Sequence, residues 1–173
     1  LVVKPVNLGE MFKVSGQVAL GERPAVRQRY RLIELQRFAE MRGRKLNPKP
    51  KFFPANPTLA DHTIIAILQS GRDPMVYMDS VFSAVWAEEK DISDEPTLAS
   101  LLAAAGFDAA AILARAKEPE TAAIRARNTQ DAVDVDATGV PSFVLNGEPF
   151  WGQDRIDLLD RALSSGRAPF KAL

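Results

Sequence analysis

This 173-residue sequence predicts an α/β fold interrupted by an all-helical block, on three observations. Valines cluster around Pro5 at the start, as in a short strand that ends at proline. The stretch from 57 to 135 repeats helix-start chemistry with no strand-like run between. Ser142-Phe143-Val144-Leu145 and Pro149-Phe150-Trp151 then flank Asn146-Gly147, the strongest short-range hairpin signal, and an amphipathic segment comes after them. Strand, helix, helical block, hairpin and helix make an α/β order rather than an all-α one.

Taken in order, Val2, Val3 and Val6 read as the opening strand, with Pro5 at an edge or an end. Gly9, Gly16, Gly21 and Pro24 punctuate the next stretch, so Asn7 to Pro24 is expected to be irregular. Pro24 suits a first helical turn, and Tyr30, Ile33, Leu35, Phe38 and Met41 form a helical stripe that stops at Gly43. Pro48, Pro50, Pro54 and Pro57 exclude regular structure between 46 and 57. Asn56-Pro57 is an N-cap followed by proline at the first helical position, which predicts a helix from Thr58 to about Ser70. Asp73-Pro74 opens another in the same way, with Val76, Tyr77, Val81, Phe82, Val85 and Trp86 turned toward a core. Asp94 with Pro96, Asp108 and Pro119 start three more, the last reaching Val135. Asp154 is expected to begin the final helix, with Ile156, Leu158, Leu159 and Leu163 along one side.

Composition narrows the function. Hydrophobic residues make up 46% of the chain, enough for a substantial core. Twenty-two basic residues balance 22 acidic ones, whereas a nucleic-acid coat or polybasic membrane anchor needs a field of one sign. The longest apolar run, Ile64 to Leu68, is far short of the roughly 18 residues that span a bilayer. Cysteine is absent, so the segment holds no disulfide, thiolate zinc site or CxxC pair. His62 is the sole histidine and has no partner at metal spacing, so no metal is expected. The opening Leu1-Val2-Val3-Lys4-Pro5 enters a strand midway without an initiator Met. Residues ahead of Leu1 are therefore expected to exist, and the cysteine count describes this segment alone.

The informative run is Gly139-Val140-Pro141-Ser142-Phe143-Val144-Leu145-Asn146-Gly147, followed by Phe150-Trp151-Gly152-Gln153-Asp154-Arg155. It resembles the C-terminal signature of 2-hydroxychromene-2-carboxylate isomerases, which belong with kappa-class glutathione transferases in the DsbA-like branch of the thioredoxin fold. Weaker family-like pieces occur in the same order: Pro5 to Gly9 with Phe12 to Gly16, Tyr30 to Arg37, Phe53-Pro54-Ala55-Asn56, Val81 to Trp86 and Asp91 to Asp94. The resemblance implies a thioredoxin-like domain from 1–56 and 136–173 and an inserted helical domain from 57–135. It also implies a first strand and helix ahead of Leu1, carrying the catalytic serine or cysteine that faces the glutathione sulfur.

The same resemblance assigns glutathione as cofactor. Val140-Pro141 is expected to be a cis peptide whose backbone edge pairs with the cysteinyl part of the tripeptide. Gln153 and Asp154, at a helix start, suit the γ-glutamyl head: N–H groups for its carboxylate and the Asp154 charge for its ammonium. The plainer reading is that Asp154 caps its own helix. Arg27 falls where relatives carry a basic residue facing glutathione, and Gln17 stands where they usually have Asn. Lys13 and Asn56 are expected at the aromatic acid substrate, with Asn56 also read as a helix cap. Trp86 and Trp151 are core or cleft-wall residues, and His62 a helix-surface or packing residue.

The implied reaction is cis/trans isomerisation of an aromatic-ring-derived unsaturated keto acid, in aromatic hydrocarbon catabolism, by reversible thiolate addition. A kappa-like glutathione transferase, a DsbA-like thiol-disulfide oxidoreductase and an inactive thioredoxin-fold binding module remain as alternatives. The expected partner is a small aromatic acid, with neither nucleic acid nor membrane. A cytoplasmic location is expected, and a homodimer as well, because relatives are often dimers.

Overall fold

The computed structural model describes residues 1–171. Among them the chain forms α1 (Leu8–Ser15), α2 (Ala25–Met41), α3 (Thr58–Gln69), α4 (Met75–Trp86), α5 (Glu95–Ala104), α6 (Ala109–Ala116) and α7 (Pro119–Asp134). The hairpin β1 (Ser142–Leu145) and β2 (Glu148–Trp151) comes next, and then α8 (Ile156–Ser165). These elements fall into two compact units. One comprises Leu1–Pro5 and Leu20–Arg125; the other comprises Val6–Ala19 and the chain from Ala126 onward. By contact, residues 20–56 group with the helical block; the expected boundaries at 56 and 135 come from the family resemblance and are a different division.

In the first unit the helix starts obey local chemistry. Asn56 Oδ1 accepts the Thr58 N–H at 3.1 Å, and Asp73 Oδ1 accepts the Met75 N–H at 2.9 Å. Asp94 and Asp108 cap α5 and α6 by accepting from Thr97 and Ala111. Each such bond satisfies a donor that the first helical turn would otherwise leave unpaired. Helices α3 to α6 then bury Ile64, Ile67, Val81, Leu98, Leu102 and Leu113 in one cluster. In α4 the inward face is narrower than the sequence suggested: Tyr77, Val81 and Val85 are buried, but Val76 and Phe82 are 70% and 57% exposed. The buried three lie at i, i+4 and i+8, one stripe of the helix, and the other two fall off it. The stripe expected on α2 is not buried; Tyr30, Ile33 and Met41 are all exposed.

Two polar contacts fix this core. Tyr77 is fully buried, and its hydroxyl lies 2.8 Å from Thr63 Oγ1, which itself donates to the Ala60 carbonyl. Tyr77 must therefore be the donor between the two hydroxyls. Burial pushes its phenol up to about 12. Asp61 on α3 meets Arg125 on α7, with guanidinium nitrogens 2.7 and 2.9 Å from Oδ2 and both side chains largely buried. Burial outweighs the pull of Arg125 and pushes the Asp61 carboxyl up to about 6. The folded carboxyl thus holds its proton more tightly than the unfolded one, near 3.8. Its stabilising contribution is complete below that ordinary value and is lost as the pH rises through about 6. Denaturant midpoints measured across this range are expected to fall for the native chain relative to Asp61→Asn; parallel profiles would refute the shift.

The second unit departs from the sequence reading at its start. The segment expected to be irregular contains α1, because Asn7 accepts the Gly9 N–H and Gly16 closes the helix at φ +71°. Asn7 also donates its own N–H to Thr129 Oγ1 at 2.9 Å. In the first unit, the expected strand around Val2 and Val3 is not formed, nor is one formed at Val6; residues 1–6 are neither strand nor helix. A strand needs a ladder partner, and among the described residues the sheet consists of β1 and β2 alone. The hairpin is as read, in register Ser142 with Trp151 and Leu145 with Glu148. Asn146 and Gly147 both take positive φ, +53° and +85°, as a type I′ turn requires. A 3-10 turn, Gln153–Arg155, precedes α8, so Asp154 lies just ahead of the α-helix. Of the apolar side expected on α8, Leu158 and Leu163 are exposed, and Ala162 is the buried residue. After α8, Arg167 places two guanidinium nitrogens 2.7 and 2.8 Å from the Glu148 carboxylate, which also accepts the Phe170 N–H at 2.9 Å. Among the described residues no helix is long and apolar enough to cross a membrane.

Candidate functional site

In the second unit, the turn entering β1 and the turn leaving β2 lie side by side. Gly139 is buried beneath the Trp151 indole, where a Cβ would stand 2.9 Å from Nε1. Only glycine permits that approach without moving the indole. Val140-Pro141 is a cis peptide. Ser142 Oγ donates to the Gly139 carbonyl at 2.6 Å, closing the turn on itself. The Gly152 N–H donates to the Pro141 carbonyl at 2.9 Å. That bond fastens Gly152-Gln153-Asp154 beside the cis-proline turn. Val140, exposed on its side chain, has no hydrogen bond from its N–H or to its C=O among the described residues.

Gly152 has φ +105° and ψ 148°, a conformation that is essentially restricted to glycine. A Cβ there would also collide with the Asp154 carboxylate, which folds back over it. Asp154 makes no capping bond to α8; it pairs with the Arg155 guanidinium, and about half of its side chain is exposed. The capping role considered for Asp154 is therefore absent. What remains is a half-exposed carboxylate just ahead of α8, and, across the Gly152–Pro141 bond, a Val140 N–H and C=O without hydrogen bonds among the described residues.

The other expected residues fall elsewhere. Lys13 on α1 is exposed and bonded to both oxygens of Glu10 at 2.8 and 2.9 Å, so much of its charge is answered within the helix. Gln17 is half-buried directly after Gly16, and the neighbouring Ser15 Oγ is buried without a hydrogen-bond partner. Arg27 and Asn56 belong to the first unit. Arg27 is exposed in the first turn of α2, and the Asn56 side chain is engaged in the bond to Thr58. His62 is a packing residue, with Nδ1 3.1 Å from the Ala116 carbonyl and its pKa lowered by burial. The sequence reading included Gly139 and Gly152 in the informative run but gave neither a role; the close approach of Trp151 to Gly139 and of Asp154 to Gly152 supplies one.

A helical chain closing on a cis-proline hairpin defines a protein of the thioredoxin class. The model of the DSBA-like thioredoxin domain matches residues 1–164, and the chain belongs to that family. Among named relatives, the 2-hydroxychromene-2-carboxylate isomerase of Pseudomonas putida is 30% identical over 138 residues, 78% of this chain and 64% of that protein. The protein of the same name from Pseudomonas sp. (strain C18) is 30% identical over 147 residues, 81% of this chain and 63% of its own length. The chain therefore spans a little under two thirds of these two relatives. That from Sphingobium xenophagum is 22% identical over 162 residues, 92% of this chain and 80% of its own. A solved structure of a selenomethionine 2-hydroxychromene-2-carboxylate isomerase superposes with a TM-score of 0.71 at 26% identity, covering 94% of this chain and 78% of that one.

Proposed function

We propose that this chain works as a glutathione-dependent isomerase of the 2-hydroxychromene-2-carboxylate type, acting on an unsaturated keto acid derived from an aromatic ring. The names of its relatives support the reaction class. The observation that carries the cofactor is the Val140 backbone edge, open beside the Asp154 carboxylate and tied to it through Gly152 and Pro141. These groups fit the tripeptide. Val140 would pair with the cysteinyl backbone as an added strand does. Asp154 would exchange its contact with Arg155 for one with the γ-glutamyl ammonium, and the N–H groups entering α8 would receive the neighbouring carboxylate. Glutathione would supply a thiol able to add reversibly to a conjugated alkene. The chain's own part is to hold that thiol in one orientation, which converts an encounter in solution into a positioned reaction.

Glutathione in large excess over its Kd is expected to raise the melting temperature by mass action. Asp154→Asn should weaken its binding by roughly ten- to a hundredfold, the loss of one charge-assisted hydrogen bond. No thermal shift, or equal affinity in the variant, would remove the cofactor assignment. Following total glutathione during turnover separates isomerisation, which leaves it unchanged, from transfer, which consumes it.

A further inference from the structure

Helix α8 has little of its own to hold it. It is 10 residues long, shorter than the roughly 12–15 that form a stable helix alone in water, and of its residues Ala162 is the buried one. Its start nevertheless has to be fixed, because Asp154 and the N–H groups suited to the γ-glutamyl head lie there. A polar cluster sits at the opposite end, about 15 Å away by the rise of the helix. Gly166, at φ +61°, turns the chain back, and Arg167 returns to the hairpin. One guanidinium nitrogen donates to Glu148 Oε2 at 2.7 Å and to the Ala168 carbonyl at 2.9 Å; the other donates to Oε1 at 2.8 Å. The guanidinium also lies 3.9 Å from the centre of the Phe170 ring.

Only 13% of the Glu148 side chain and 28% of that of Arg167 are exposed. Hydrogen bonds from Arg167 hold the Glu148 carboxyl below its ordinary pKa, so it is an anion at neutral pH. Exposed ion pairs adopt many geometries and contribute little; this one is forked, stacked and shielded, an arrangement that fixes direction as well as distance. Glu148 stands at one end of β2 and the Gly152 turn at the other. We infer that Arg167 and Glu148 are positioning residues for glutathione. They touch no ligand and act by keeping the start of α8, and with it the Asp154 carboxylate, aligned with the cis-proline turn. The choice of ligand rests on the isomerase reading above.

Two readouts test the inference, one with glutathione and one without. Arg167→Lys keeps the charge and loses the fork; Glu148→Gln keeps the shape and loses the charge. At a temperature where circular dichroism shows each variant folded, both are expected to weaken calorimetric glutathione binding about tenfold. With Asp154→Asn already in place, Arg167→Lys should add little further loss, because the group it aligns is gone. In a Trp86→Phe background Trp151 is the sole tryptophan. There each variant should raise acrylamide quenching of its fluorescence about twofold, as the corner opens locally. Unchanged glutathione affinity in both variants, or an equal loss with and without Asp154→Asn, would overturn the positioning role. Unchanged Trp151 quenching would overturn it whatever glutathione does. If the intact chain binds no glutathione, the cofactor reading falls, while raised quenching still keeps Arg167 and Glu148 as the residues that order the corner.

Discussion

Arg125→Met is expected to destabilise the fold by about 3 kcal/mol at pH 8, the usual effect of stripping one partner from a buried ion pair. For a chain of this size that corresponds to a fall in melting temperature of roughly 6–12 °C. The reason is the neighbour left behind. Two guanidinium nitrogens converge on Asp61 Oδ2, and the pair is largely buried, so methionine keeps much of the volume but leaves a carboxylate without a counter-charge. The loss should shrink toward pH 5, because Asp61, already pushed up to about 6, then takes up a proton and ceases to be a buried anion. The double variant with Asp61→Asn is expected to recover part of the loss at pH 8. Thermal melts at the two pH values check both statements. A loss independent of pH would mean that the packing of Arg125, not its charge, is what matters.

Gly152→Ala is expected to damage stability and glutathione binding together. At φ +105° and ψ 148° an alanine is strained by about 1–3 kcal/mol. Its methyl group would occupy the place of the Asp154 carboxylate. Relief requires moving either Asp154 or the Gly152 N–H that holds the Pro141 carbonyl, and either motion separates the two halves of the proposed cradle. Affinity for glutathione should fall at least tenfold, alongside a lowered melting temperature. Asp154→Asn should lower affinity with little change in melting temperature, so the pair separates architecture from charge. A Gly152→Ala chain with both properties intact would show that the turn adapts and that the cradle does not depend on it.

Much of the fold was legible because it is written locally. Asn56, Asp73, Asp94 and Asp108 each start a helix through a bond spanning two or three residues, and the Asn146-Gly147 turn needs only its own two positive φ angles. Helix α1 was equally local but hidden: its glycines read as punctuation, whereas Gly16 is its C-cap and Asn7 its N-cap. Burial was not legible. The apolar stripes of α2 and α8 have helical spacing, yet whether a stripe is covered depends on what packs against it. The site was half-legible. The cis peptide at Val140-Pro141 followed from the family pattern, but the attachment of Asp154 to Arg155 depends on the 3-10 turn that no periodicity announces. Asp61 and Arg125 are 64 positions apart, so their pairing has no sequence pattern.

The Glu148 carboxylate, at the first residue of β2, takes three donors from the chain beyond α8. At the other end of that helix, Gly152 is bonded to Pro141. Helix α8 is therefore buckled to the hairpin at both ends, although few of its own side chains are buried. The rigidity of the cis-proline corner is in this way borrowed from a tail more than ten residues downstream, and a strap of this kind lets a marginal helix serve as a fixed wall.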